Sequence, residues 1–378
     1  MLSDEHCPQL LHSLSSFAPI SLLACGGAHV VALTSGGRVV TWGRGTSGQL
    51  GHGEAVNNLQ PKAIEALGGF VITHVSAGWN HSDNGHLFTC GDGTFGQLGL
   101  GDYLSRSSPV EVSYLSAEHV KQIACGMRHS LALIKGESGD RVFGFGSGKR
   151  GQLGISDDKV KSVAIPQVTL GLENLKINAI IANGDHSAAI CADGHLYTWG
   201  RSFGSDSDMY MPRCLTVSSS FCSAALGWNH ALALTGDGEV FMIGGYKIKQ
   251  TSEDAGNGEI VKKIDALDGI KVLQISSGAE HSALVTGKYL TRFENEKSRF
   301  STFYKSMYWL LVYRLTYVDD GSVMTWGWGE HGQLGFGDTN DEAGPRVVSL
   351  SHEHTKKPSI AKVYCGSGFT FVVKKHAG

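Results

Sequence analysis

The chain repeats itself. Arg38-Val-Val-Thr-Trp-Gly-Arg-Gly-Thr-Ser-Gly-Gln-Leu-Gly51 returns in the same frame from His86 to Gly99, from Arg141 to Gly154 and from Ser322 to Gly335. Shorter relatives stand at His195-Leu-Tyr-Thr-Trp-Gly200 and Glu239-Val-Phe-Met-Ile-Gly244. A tandem repeat constrains a fold more than any other feature, because each unit must bury its faces against the next.

Each repeat has four parts. An alternating apolar strand ends in a small residue and Gly: Ile20 to Gly26, Ile72 to Gly78, Val120 to Gly126, Ile177 to Gly184, Phe221 to Gly227, Val272 to Gly278 and Ile360 to Gly366. A second strand opens with His, as in His29-Val-Val-Ala-Leu and His230-Ala-Leu-Ala-Leu. A third follows a Gly-containing turn and ends near Trp-Gly. The fourth is expected to open with Pro (Pro61, Pro109, Pro166, Pro212, Pro345), because Pro has no N–H for a central ladder. The His positions 29, 81, 129, 186, 230 and 281 lie 44 to 57 residues apart. A four-stranded unit of that size is a propeller blade, and seven first strands predict an all-β, seven-bladed β-propeller forming a single domain over 1–378. Pro8-Gln-Leu-Leu-His-Ser-Leu14 matches Pro61-Lys-Ala-Ile-Glu-Ala-Leu67, so the chain is expected to begin on a fourth strand. It ends on a first and second strand, Ile360 to Lys374, so both termini are expected to close blade seven.

Composition fits this reading. Gly 51 against Pro 8 in 378 residues implies many tight turns between short strands. The net charge of −3 and the lack of a Lys/Arg run predict no nucleic-acid partner. The first 24 residues carry Asp4, Glu5 and His6 and lack a positive n-region, so no secretory signal is expected in them, and Met307-Tyr-Trp-Leu-Leu-Val-Tyr313 is too short to span a membrane. The eight Cys read as small buried apolar residues in a reducing compartment, cytoplasmic and/or nuclear.

Chemical motifs dissolve into the repeat. Gly43-x-Gly45-x-x-Gly48 and three further copies spell a dinucleotide fingerprint, but a true one occurs once, between a strand and a helix. Four copies inside β repeats are turn glycines. One His per blade around a ring cannot converge on a metal, so each is expected to be a buried imidazole fixing a turn. His352-Glu353-His354 has no further ligand nearby in the sequence. Asn80-His81-Ser82 matches a glycosylation acceptor but lies within the repeat frame. No nucleophile constellation stands out, so no catalytic residue, cofactor or metal is expected.

The combination Cys-Gly-x-x-His-(apolar)-Ala-Leu, Gly-x-Val-x-Thr-Trp-Gly and Gly-Gln-Leu-Gly resembles the repeat of the regulator of chromosome condensation family. The resemblance covers almost the whole chain and implies a seven-bladed propeller.

Two places break the frame. In blade two, His81-Ser82 runs straight into Asp83-Asn84-Gly85, four residues short of His29 to Gly37; unpaired edges and two weakened blade interfaces are expected there. In blade six, Gly287 to Val318 matches no part of the repeat. Without those 32 residues, His281-Ser-Ala-Leu-Val-Thr joins Asp319-Asp320-Gly321 at the usual spacing. Two origins remain open for this insertion: a retained in-frame intron or wrong gene model, and a functional loop.

The informative variation lies just before each His: Gly27-Ala28, Trp79-Asn80, Met127-Arg128, Asp185, Trp228-Asn229, Ala279-Glu280 and Ser367-Gly368. Blade symmetry places these on one face. Trp79, Asn80, Met127, Arg128, Asp185, Trp228, Asn229 and Glu280 are the candidate interaction residues. The alternative is that both Trp pack on the next blade.

Three roles follow from the resemblance. A non-catalytic interaction propeller with protein partners is the leading one. The second is guanine-nucleotide exchange on a small GTPase, which is not covalent catalysis. The founding member's basic chromatin-binding tail has no counterpart in this sequence. The third is the UV-B photoreceptor branch, which uses Gly-Trp-Arg-His motifs. Here Gly78-Trp79-Asn80-His81 and Gly227-Trp228-Asn229-His230 carry Asn instead, in blades two and five. No membrane partner is implied.

Overall fold

The computed structural model describes residues 7–9, 11–17, 19–78, 81–84, 87–136, 139–203, 207–244, 261–291, 315–318, 322–350 and 359–376. Trp79, Asn80, His352-Glu353-His354 and the run from Met307 to Tyr313 lie outside them. The described residues form antiparallel β-sheets joined by short turns and four brief 3-10 turns.

Seven sheets are laid down in chain order. Five are plain four-stranded antiparallel sheets, numbered one to five. Sheet six has five strands, and sheet seven shows two, Ser359–Cys365 and Thr370–His376. The first strand of each sheet packs against the first strand of the next. The series passes from Ile20–Cys25 through Val75–Ala77, Val120–Cys125, Ile177–Asn183, Phe221–Leu226 and Lys271–Ser277 to Ser359–Cys365, which returns to Ile20–Cys25. This is an all-β propeller around an axial cavity of about 390 Å3.

The sequence pattern explains the layering. Second strands such as His129–Ile134 and His230–Thr235 are buried at every residue, because they have a strand on each side and a sheet on each face. The third-strand aromatic then packs on the preceding sheet: Trp199 joins Leu131 and Leu133, and Trp326 joins Leu232 and Leu234. First strands cannot ladder to one another, so side chains bridge them. The Gln122 amide exchanges hydrogen bonds with the backbone N–H and C=O of Ile180 at 2.9 and 3.0 Å. Gln274 does the same with Val363 at 3.0 and 2.8 Å. Each amide satisfies backbone groups that would otherwise lie unpaired beside the axis.

The Gly-Gln-Leu-Gly turns are held by the repeat's own Thr. Thr41 Oγ1 donates to the Leu50 carbonyl at 2.7 Å, and Thr325 Oγ1 to that of Leu334 at 2.7 Å. Sheet three has Gly144 at this place, and Thr169 supplies the hydroxyl to Leu153 at 2.8 Å. The turn glycine Gly96 has φ +81°, and a Cβ there would lie 2.7 Å from the Val163 carbonyl of the next sheet. The dinucleotide pattern is therefore a turn that abuts a neighbouring strand.

Several expectations need correction. The Pro residues do not open the fourth strands: Pro61, Pro109, Pro212 and Pro345 are fourth in theirs and Pro166 fifth. A register shift between the Thr and Gly of Thr-Trp-Gly lets the strand begin earlier, and Pro sits on the outer edge, where no N–H is needed. Pro109 and Pro212 pack their rings near Gly51 and Gly154 of the preceding sheets. In blade two the second strand survives as His81–Asn84, paired on both sides; the deletion shortens it without unpairing it. Its partner shortens with it, to Val75–Ala77. Cys7 and Cys222 are exposed, unlike the other six Cys, and all eight are free thiols.

The start of the chain meets the end. Gly335 faces Pro8, as Gly51 faces Pro109. Leu14, Phe17 and Ile20 pack with Tyr364, Phe369, Phe371 and Val373, and Trp42 meets Phe371 edge-on at 6.1 Å. Among the described residues, however, Cys7 to Gln9 make no ladder with sheet seven.

The excursion in blade six leaves the hairpin geometry alone. Thr34 N–H donates to Arg38 at 2.9 Å, and Thr235 to Glu239 at 3.0 Å. Thr286 N–H donates to Ser322 at 2.9 Å, and Val285 still faces Val323. Beyond that closure the strand runs on to Thr291 and pairs with Leu315–Val318.

Two outcomes follow. Gly96→Ala, with both a strained φ and a clash, is expected to cost about 2–4 kcal/mol. Gly69→Ala, at φ +97° with nothing within 4 Å, is expected to cost about 1 kcal/mol. Urea unfolding of the two variants checks the ranking. A chain lacking 287–318 should keep its far-UV spectrum and melt no lower than the full chain, since Thr286 and Ser322 already close the turn.

Candidate interaction face

The residues before each buried imidazole link the first strand to the second in every sheet, so they emerge at one end of the propeller. Their burial follows a rule. The first of the two is half-buried or buried (Gly27, Met127, Trp228, Ala279), and the second is exposed (Ala28, Arg128, Asn229, Glu280). Asp185 stands alone in a loop one residue shorter and is half-buried.

The rule has a cause in the backbone. Each first residue turns its N–H to a carbonyl of the next sheet. Gly27 donates to Gly78 at 3.2 Å, Met127 to Gly184 at 2.7 Å, Trp228 to Ala279 at 2.8 Å and Ala279 to Ser367 at 3.1 Å. Ser367 donates to Gly26 at 3.2 Å and closes the circle from sheet seven to sheet one. Half of the variable positions are therefore committed to holding neighbouring sheets together.

The imidazoles complete the stitching. His129 Nε2 lies 2.9 Å from Ser187 Oγ of the next sheet, and Ser187 Oγ donates onward to the Gln152 carbonyl at 2.7 Å. With its one proton spent on a carbonyl, Ser187 accepts, so His129 carries its proton on Nε2. His230 pairs with Ser282 at 2.8 Å and His281 with Thr370 at 3.0 Å. The expectation that each His fixes its own turn needs widening: the rings of His129, His230 and His281 also bond across to the next sheet, and His186 faces carbonyls of both its own sheet and the next. The space for the ring comes from Gly126, where a Cβ would lie 2.1 Å from the His129 ring. In sheet seven Phe369 takes the His place over Gly366.

Burial sets the charge state of these rings. It holds His230 and His281 down to about 4, with a smaller push from the neighbouring His in each case. His186 is lowered mainly by burial, although carbonyls of Arg201 and Trp228 face its two nitrogens. A neutral ring donates to one of the two, and burial against Phe203 at 4.1 Å favours that neutral form.

The structure places the candidate residues unequally. Arg128, Asn229 and Glu280 are exposed; Arg128 stacks on Phe95 of the preceding sheet at 4.8 Å. Asp185 accepts from the Gln152 side chain at 3.1 Å. Trp228 packs beside Gly184, on the preceding sheet rather than the next. Trp79 and Asn80 fall outside the described residues. The candidates are spread round a ring and do not converge on a point. Sequence reasoning missed the rim of the same face, formed by the variable positions of Gly-x-Gly-x-x-Gly. Arg44, Lys149, Arg150 and His331 are exposed there, and Trp328 meets His331 edge-on at 4.9 Å. The signal was available, since glycines that fix a turn leave the intervening residues free to vary. Among the described residues no cluster of His, Cys, Asp and Glu suits a metal, and no helix is long and apolar enough to cross a membrane.

Comparison with known proteins agrees with this geometry. Residues 2–292 match the family model described as the RCC1-like domain, and residues 320–373 match the regulator of chromosome condensation (RCC1) repeat. The Ultraviolet-B receptor UVR8 of Arabidopsis thaliana is 30% identical over 94% of this chain and 74% of its own. The E3 ubiquitin-protein ligase HERC2 of Homo sapiens is 31% identical over 73% of this chain, which is 5% of HERC2. The fold is that of Prp20p from Saccharomyces cerevisiae, a protein with binding properties to Gsp1p and histones. The TM-score is 0.75 at 21% identity, over 99% of this chain and 86% of that one. Human WBSCR16 is similar at a TM-score of 0.72 and 24% identity, over 95% and 87%.

Acid should loosen this ring. Below pH 6.5 the unfolded chain takes up protons that buried His230 and His281 refuse until about 4. Their contribution is whole above pH 6.5 and is lost as pH falls toward 4, by roughly 3 kcal/mol for each ring. Melting temperature measured from pH 7 to pH 4.5 should fall. His230→Gln should melt lower at pH 7 and show a shallower decline.

Proposed function

The chain belongs to the regulator of chromosome condensation repeat family, and we propose that it acts as a non-catalytic interaction propeller, holding a partner protein against its loop face. One observation carries this reading. The loop backbones are pinned sheet to sheet, while Arg128, Asn229 and Glu280 extend to solvent from them. A fixed backbone lowers the ordering cost of binding, and chemically different side chains round one face give selectivity.

The reading includes seven blades, the seventh shared by the two ends of the chain; the Pro8 contact and the Ser367 bond to Gly26 support it. It includes one propeller domain interrupted at 287–318, and a reducing compartment, cytoplasm or nucleus, in keeping with eight free thiols.

Guanine-nucleotide exchange on a small GTPase is the second reading, supported by the shared fold with Prp20p. In it the disc would stabilise the nucleotide-free GTPase. A UV-B receptor role is disfavoured: Asn229 follows Trp228, and the equivalent loops on either side carry Asp185 and Glu280.

Affinity capture with the full chain tests the proposal. Stable partners should be retained by the wild type and lost at least tenfold by the triple variant Arg128→Glu, Asn229→Asp, Glu280→Lys. The exposed positions should leave its melting temperature within about 2 °C. Capture unchanged by the triple variant would contradict the face assignment. Accelerated GDP release from a panel of small GTPases would favour exchange instead. A UV-B-dependent change in oligomeric state would favour the receptor role.

A further inference from the structure

The outer wall of the disc is uneven. Thirteen large apolar side chains are exposed among the described residues, and eleven of them fall between Val56 and Leu170, on or beside sheets one to three. The described residues of sheets four and five contribute none, so the apolar surface is gathered on one side. Leu59, Tyr103, Leu104, Val110, Ile165 and Val168 form its centre. They stand on or just before the fourth strands Asn58–Ala63, Arg106–Glu111 and Ser162–Val168, the outer edges of their sheets.

Backbone bonds make these three strands one surface. Gly53 N–H donates to the Ser107 carbonyl and Gly101 N–H to that of Ala164, each at 2.9 Å. Ser107 Oγ returns a bond to the Gly53 carbonyl at 3.0 Å. The turn of each sheet is thus seated on the outer strand of the next, and Ile165 borders Gly101.

Outer strands are commonly defended by charge. At the residue after the edge Pro, sheets one, four and six carry the exposed cations Lys62, Arg213 and Arg346. Sheet two carries Val110 there and sheet three Gln167. Within the wall the charge is spent internally: Arg106 Nη2 lies 2.6 Å from Asp102 Oδ2, and its Nη1 donates to the Leu104 carbonyl at 3.0 Å. Glu111, next after Val110, points to the opposite face of its strand. Each border offers both signs, Glu54 and Lys62 beside sheet one and Asp158 and Lys161 beside sheet three. A wall of this kind meets its own copy without unpaired like charges. Pro109 and Pro166 interrupt the outer row of N–H groups, so the contact is made by side chains of a folded surface and not by a guest strand.

We propose that this wall is the contact between two copies of the chain, related by a two-fold axis at sheet two, the middle of the three. Covering the six central side chains removes roughly 500 Å2 from each copy, close to the ~1,000 Å2 total at which a specific contact begins. The wall lies on the side of the disc, apart from the loop face, so it stands or falls independently of that face.

Sedimentation equilibrium of the full chain from about 1 to 100 µM tests the proposal, and a monomer–dimer equilibrium is expected within that range. Val110→Lys gives sheet two the cation that sheets one, four and six already have. It should melt within about 2 °C of the wild type and weaken the dimer about tenfold or more. Val110→Glu should do the same. An equimolar mixture of the two variants should associate about tenfold more tightly than either alone, because the axis sets position 110 of one copy beside that of the other. Val347→Lys, at the place in sheet six that Val168 holds in sheet three, should leave association unchanged. A chain that stays monomeric at about 100 µM would overturn the proposal, whatever other partner its wall then took. A dimer undiminished by Val110→Lys, or a mixture of the two variants that remains monomeric, would also overturn it.

Discussion

A ring of sheets depends on the weakest joint in it. Among the described residues adjacent blades share no strand ladder, so their inner ends are joined by hydrogen bonds from loop to loop and by the paired bonds of the Gln122 and Gln274 amides. The N–H of Met127, Trp228, Ala279 and Ser367 each reaches a carbonyl of the following sheet. Outward of these bonds lies a second circle, in which His129, His230 and His281 meet a hydroxyl of the next sheet. Farther out, Trp199 and Trp326 cover the preceding sheet. Backbone, imidazole and indole thus act at increasing radius on the same joint. Removing any blade from the series would open every one of these circles.

Much of this was legible in the residues. The imidazole spacing gives the period, and the return of Thr-Trp-Gly gives the third strand. The joints themselves were not legible. Gln122 bonds a backbone 58 residues away and Gln274 one 89 residues away. Both stand four residues before the Gly that ends the first strand, Gly126 and Gly278, but that shared position does not name the backbone they reach. The exchange of Thr for Gly144, answered by Thr169 just past the end of the fourth strand, is a tertiary compensation of the same kind. The Pro positions misled because a register shift between the Thr and Gly of Thr-Trp-Gly moves the strand start upstream. The loop residues were read as surface alone. One of each pair proved structural, since its N–H was needed by the ring.

That division shapes what the face can do. Positions such as Trp228 cannot vary without regard to Gly184 beneath the ring, whereas Arg128, Asn229 and Glu280 can change with little effect on the fold. A scaffold of this kind separates stability from recognition at single-residue resolution. The interruption at 287–318 obeys the same separation. It enters at a hairpin closed by Thr286 and Ser322, on the opposite end of the sheet from the stitched loops, so the joints between blades are untouched.

The central claim is that the loops close the ring. Residue-resolved hydrogen exchange of the loop amides tests it most directly. The account predicts that the N–H groups of Met127, Trp228, Ala279 and Ser367 exchange as slowly as those of the inner strands, despite lying in surface loops. Ser367 exchanging at the rate of an open loop, while Met127 and Trp228 stay protected, would mean that the circle is broken between sheets seven and one, and would contradict it.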